Sequence, residues 1–183
     1  MTRLPAASAP PPPRAARAYY LLDTLPEREV RAGWAEVIKT AAIRNSRLFE
    51  ELESGVAALL GKEPDALAGA IEACCRIKAE VVGLDEREAG LRRILNFGHT
   101  LAHGIETVGE YASFLHGEAV AVGMSFAAEL GEALGVTRRG VASRLAACLR
   151  SYGLPVKAAG LRAKDLLDAM EFDKKRGPAG LRW

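Results

Sequence analysis

The sequence predicts a mainly α-helical bundle, on three observations. From Tyr19 onward, apolar residues recur three and four positions apart between proline and glycine punctuation. No glycine-rich phosphate loop of the Rossmann or P-loop kind follows a strand-like run. No internal repeat divides the 183 residues into smaller units. Helices of this kind bury their apolar stripes by packing on one another.

Residues 1–18, MTRLPAASAPPPPRAARA, contain no acid and five of the nine prolines. A four-proline run lacks backbone donors and cannot continue a helix or strand. This segment is expected to be a disordered leader; its prolines also argue against the amphipathic helix of a transit peptide. Residues 19–183 are expected to form one domain of ordinary size. Its first helical stretch is TLPEREVRAGWAEVIKTAAIRNSRLFEELES, with Thr24 near an N-cap and Pro26 in the first turn. Val30, Trp34, Val37, Ile38 and Ala41 form its apolar face. A second helix starts at Pro64 and Asp65 and runs to about Val82. A third covers roughly 93–109, and a fourth follows His116. A fifth starts near Thr137 and stops at Gly153, and a short last helix covers about 163–172.

Hydrophobic residues make up 49% of the chain, enough for a core, and the net charge of +2 gives no reason to expect nucleic acid or an anionic membrane as partner. No apolar run reaches the roughly 18 residues of a membrane span, and the apolar segment of a secretory signal is missing. Three cysteines, Cys74, Cys75 and Cys148, are an odd set for a disulfide framework. They fit a reducing, cytoplasmic setting and are read as small buried apolar residues.

All three histidines, His99, His103 and His116, fall within one short stretch. On a continuous third helix, Arg92, Asn96, His99, His103 and Glu106 lie on one stripe, opposite Ile94, Gly98, Leu101, Ile105 and Val108. A solvated face usually favours lysine and glutamate. This stripe instead carries groups suited to gripping a polar ligand. In the second helix, Lys78 falls in line with Leu67, Ile71, Cys74 and Val81, so an ammonium is expected near the centre of a buried face, where it must snorkel, pair or bind. Glu36 and Lys39, three apart in the first helix, read in isolation as a routine surface ion pair. Gly33, one turn earlier, suggests a close approach to the backbone. His99 and His103 have the i, i+4 spacing of a metal-binding pair. Spacing nominates His99, His103 and His116 as ligands of a catalytic zinc, with a carboxylate able to replace any one of them.

Four blocks, LPEREVRAGWAEVIK, CCRIKAEVVGLDEREAGLRRILNFGHTLAHGIE, LHGEAVAVGM and DKK, resemble in order the motifs of the 3-dehydroquinate synthases, sugar-phosphate cyclases related to iron-type alcohol dehydrogenases. The resemblance spans Tyr19 to Lys175. It implies Zn2+ (or Co2+) bound by Glu36, His99 and His116. It implies His103, Lys78 and Lys39 as catalytic groups, with His103 in proton transfer. Arg92, Asn96 and Lys174 would bind substrate, with Lys175 the rival to Lys174, and Asp85 and Glu88 match acidic positions near the site. The implied reaction converts 3-deoxy-D-arabino-heptulosonate 7-phosphate to 3-dehydroquinate and phosphate in the shikimate pathway, with NAD oxidising one hydroxyl and later returning the hydride.

In the family, an N-terminal α/β domain binds most of the NAD, and no counterpart of it is seen here. The chain is therefore expected to be the C-terminal domain alone, inactive without an N-terminal partner, and a homodimer is compatible with family habit. Two other readings are another cyclase, of the 2-deoxy-scyllo-inosose or 2-epi-5-epi-valiolone synthase type, and a non-catalytic helical partner subunit or pseudoenzyme.

Overall fold

A computed structural model of the chain describes residues 19–88, 90–109 and 113–174. Among the described residues there are eight α-helices, two 3-10 helices and no strand. The proline-rich leader lies outside them.

Helix α1 (Glu27–Arg44) starts directly after Pro26, which occupies the N-cap itself, with Glu27 and Glu29 complementing the dipole of the first turn. Thr24 is not the cap: it ends a 3-10 helix, Tyr19–Thr24. The single long helix expected up to Ser54 is divided at Asn45, whose backbone is extended. Its side-chain oxygen accepts a hydrogen bond from the Leu48 amide at 3.0 Å, capping α2 (Ser46–Ser54). Helix α3 (Val56–Leu60) leads to α4 (Pro64–Leu84), where Pro64 takes the first-turn position that suits it.

The buried stripe of α4 is Leu67, Ala70, Ile77 and Val81, with Ile71 and Cys74 half-buried at its margin. Lys78 is exposed, contrary to the expected central position. The helix is turned so that Ile77 faces inward, which spares the ammonium its desolvation. The same rotation exposes Cys75, so only Cys148 is fully buried and Cys74 partly so. Burial pushes the Cys74 and Cys148 thiols up to about 11.

The expected third helix is broken. A 3-10 helix, Leu91–Asn96, is followed by Gly98 with φ +82°, and only then does α5 (His99–Val108) begin. Tertiary packing imposes the break, because Gly98 lies against α6 (His116–Ala133). A Cβ on Gly98 would stand 2.6 Å from the Met124 amide nitrogen, and one on Gly123 would stand 1.9 Å from the Gly98 carbonyl oxygen. Arg92 and Asn96 therefore do not share a helix with His99, His103 and Glu106.

Helix α6 is the central element, with Ala119 through Ser125 buried without interruption. At its first turn, a Cβ on Gly117 would lie 2.0 Å from the Ala32 carbonyl oxygen of α1. Gly33, the glycine expected to receive a close approach, has nothing within 4 Å of a built Cβ. Helices α7 (Val141–Ser151) and α8 (Ala163–Lys174) complete the bundle. Helix α7 starts later than Thr137, after Gly140 at φ +91°. Tyr152 fastens the far side, its ring 5.2 Å from that of Trp34 and its hydroxyl donating to the Leu52 carbonyl at 2.8 Å. No helix among the described residues is long and apolar enough to cross a membrane.

Candidate metal centre

Three helices converge on one constellation. Helix α1 contributes Glu36. Helices α5 and α6 contribute their first residues, His99 and His116. One side-chain donor atom from each lies within 4.8 Å of the other two. The two glycine contacts explain the convergence. Gly117, beside His116, is seated on Ala32, one turn before Glu36. Gly98, beside His99, is seated on Gly123 of the helix that begins with His116. The ring centroids of His99 and His116 are 5.4 Å apart. His103 stands one turn along α5, exposed, its ring edge-on to His99 with centroids 5.9 Å apart, outside the triangle of Glu36, His99 and His116. The three-histidine set nominated by spacing is thus not the one gathered.

Lys39 belongs to the same cluster. Its Nζ donates to both carboxylate oxygens of Glu36, at 2.7 and 2.8 Å, and the residue is only 4% exposed. It is not the routine surface pair that its spacing suggested. Burial lowers the Lys39 pKa against the opposing pull of Glu36, and the charge of Lys78 lowers it further. A sequence signal was available: Lys39 follows Ala32 and Ala35 at seven and four residues, on the face that α1 buries. His99 is held below the ordinary imidazole value by burial first and by the Lys39 charge second. Both effects favour the neutral ring, which has a nitrogen lone pair to offer.

The remaining expected residues surround a turn. Asp85 Oδ2 accepts from the Gly90 and Arg92 amides at 2.7 and 2.9 Å, so it shapes the turn leading into the 3-10 helix. Arg92 donates one Nη1 bond to the Glu86 carbonyl at 2.9 Å. Asn96 donates to Glu88 Oε1 at 2.9 Å, and Glu88 has a left-handed backbone, φ +56°. Lys174 is the last residue of α8; its side chain and Lys175 lie outside the described part of the chain. Glu106 was visible only as a member of the polar stripe. Its Oε1 lies 2.8 Å from His116 Nδ1.

Fold and site together define a helical domain that presents one carboxylate and two imidazoles, beside a buried lysine, where the first residues of two helices meet the middle of a third. The chain belongs to the 3-dehydroquinate synthase family: the model of the 3-dehydroquinate synthase C-terminal domain matches residues 33–176. A 3-dehydroquinate synthase of Geobacter metallireducens is 47% identical over 160 residues, which are 87% of this chain and 44% of that protein. One from Halorhodospira halophila is 47% identical over 162 residues, 88% of this chain and 46% of that protein. The chain thus spans less than half the length of these curated relatives. Among solved structures, ValA, the 2-epi-5-epi-valiolone synthase of Streptomyces hygroscopicus subsp. jinggangensis with NAD+ and Zn2+ bound, aligns with a TM-score of 0.77 at 27% identity, over 86% of this chain and 44% of that one. The helical fold and the family resemblance read from the motifs both hold.

Proposed function

We propose that this chain, over residues 19–183, is the metal- and substrate-binding half of a cytoplasmic 3-dehydroquinate synthase, a phosphate-eliminating cyclase. The observation that carries the reading is the triangle of Glu36, His99 and His116 with Lys39 buried against it. One carboxylate and two imidazoles are a donor set suited to Zn2+ or Co2+. With 46% of the Glu36 side chain and 52% of the His116 side chain exposed, the outer side is open for a substrate oxygen. A metal held there would supply Lewis-acid stabilisation of substrate hydroxyls.

The chain's own groups supply the rest. Lys39 and Lys78 place positive charge beside the triangle, and Arg92 retains guanidinium donors beyond the one given to Glu86, matching carboxylate or phosphate. Asn96, oriented by Glu88, offers an amide to a hydroxyl. His103, next to His99 and open to solvent, is placed to relay a proton. Lys174 at the end of α8, with Lys175 beside it, supplies a further cation. NAD would come with an α/β half of the kind the relatives' additional length accommodates.

A second reading has support in the ValA likeness, that of a cyclase acting on a different sugar phosphate. The higher identity to 3-dehydroquinate synthases favours the first. The test is to combine the chain with the N-terminal half of the Geobacter relative, NAD and Zn2+, and to measure phosphate release. Release from 3-deoxy-D-arabino-heptulosonate 7-phosphate by the combination, and none by the chain alone, is the expected result. Turnover of only a rival cyclase's substrate would transfer the chain to that class. A folded, metal-loaded combination without any turnover would make it a non-catalytic subunit.

A further inference from the structure

We infer that Glu106 is a positioning residue that fixes the tautomer of His116 and thereby aims its Nε2 at the metal triangle. The inference rests on the metal reading above for its purpose, though not for its geometry.

Glu106 lies on α5 seven residues after His99, two turns along the same face, and reaches the first residue of α6. Its Oε1 is 2.8 Å from His116 Nδ1. The exposures are unequal in an informative way: the Glu106 side chain is 12% exposed and the His116 side chain 52%. The carboxylate is the held partner and the imidazole the one it holds, the reverse of a loose surface pair in which both chains wander. An ionised carboxylate only accepts, so Nδ1 must carry the hydrogen. In a neutral ring that leaves Nε2 without one, on the opposite side of the imidazole. Neutral histidine in water prefers the other tautomer, with the hydrogen on Nε2, which cannot ligate through that atom. The partner of one ring nitrogen sets what the other can do, and a carboxylate behind a ligating imidazole fixes its orientation and raises its basicity.

Helix α5 thus serves twice: its first residue, His99, donates directly, and its third turn, with Glu106, prepares the donor that opens α6. His99 is served differently, its Nδ1 lying 3.3 Å from the Phe97 carbonyl, an oxygen that also accepts. Both imidazoles are therefore addressed at Nδ1 by an acceptor, one from backbone and one from a side chain.

The test uses the metal-free chain labelled with 15N and long-range 15N–1H spectra at about pH 8.5, roughly two units above the ordinary imidazole value. The parent is expected to show His116 with its hydrogen on Nδ1. Glu106→Gln, whose amide oxygen still accepts, should keep that pattern, and Glu106→Leu should lose it. Zinc titration of the same samples should give affinity about 10- to 100-fold weaker in Glu106→Leu and a smaller loss in Glu106→Gln. In a His116→Ala background, Glu106→Leu should cause no further loss. A parent with its His116 hydrogen on Nε2, or a folded Glu106→Leu with unchanged tautomer and zinc affinity, overturns the inference. Should the parent bind no zinc while its tautomer still follows Glu106, the metal reading fails and the positioning stands.

Discussion

Lys39 Nζ is 2.7 and 2.8 Å from the two oxygens of Glu36, the ammonium buried and the carboxylate half open. The lysine stands where a bound cation's charge would be felt. Lys39→Met keeps the stem and removes the charge. A unit charge about 4 Å away is worth about 1 kcal/mol even in a water-like dielectric, so zinc should bind at least about fivefold more tightly by calorimetric titration. The melting temperature should hold or rise, because the buried charge is gone and Glu36 can turn to water. In the recombined enzyme, turnover should fall by about 100-fold or more. Weaker zinc binding by the variant would mean that Lys39 orients Glu36 rather than competing with the metal.

Zinc content separates ligand from neighbour. The purified parent is expected to hold about one zinc, as a three-ligand site predicts. Glu36→Ala, His99→Ala and His116→Ala should lose it, while His103→Ala, outside the triangle, should keep most of it. Elemental analysis of the four folded variants reads this directly, and a His103→Ala protein without metal would count against the proposed division of roles.

The glycines make an opposed pair of predictions. Gly117→Ala and Gly123→Ala each drive a methyl into a backbone carbonyl, of Ala32 and Gly98 respectively. Backbone cannot swing aside, so each should destabilise the fold by about 3 kcal/mol or more in urea unfolding. Gly33→Ala meets nothing within 4 Å in mid-helix and should stabilise by about 0.5–1 kcal/mol.

Acid should weaken the fold in two windows. Hydrogen bonds from Arg28, at 2.7 Å to each oxygen, and from the Leu115 amide hold Glu118 below the ordinary carboxylate range. A depressed folded value means stability present above the unfolded value near 4.5 and lost as pH falls through the folded one. Glu118→Gln should flatten the stability–pH profile below about pH 4.5. In the metal-free chain, His99 acts in the same sense from its ordinary value of 6.5 downward, since the unfolded chain takes up that proton first. Urea midpoints measured from pH 8 to 3 would show both, and a flat profile across both windows would contradict them.

The helices were legible in the sequence because their period and punctuation are local properties. The motif resemblance pointed at Glu36, His99 and His116, and folding gathers them. The misreadings have tertiary causes. The expected stripe through Lys78 and the true one through Ile77 share Leu67 and Val81, so they differ by a rotation of only about half the 100° residue step, which α4's sequence alone does not fix. The break at Gly98 depends on Gly123, twenty-five residues later, pressing against its carbonyl. Lys39 looked like a surface residue because burial of a lysine is rare. Glu106 was noticed without a role because its partner, His116, sits on another helix.

The two imidazole donors occupy the first residues of their helices, and helix ends are where backbone ordinarily frays. Here the residues bordering them, Gly98 and Gly117, are each wedged against another helix's backbone. Unwinding a terminal turn is thereby tied to pulling neighbouring helices apart. A metal held by these residues would leave on the timescale of separating helices rather than of a loosening end, so its exchange should be slow and its loss abrupt on heating.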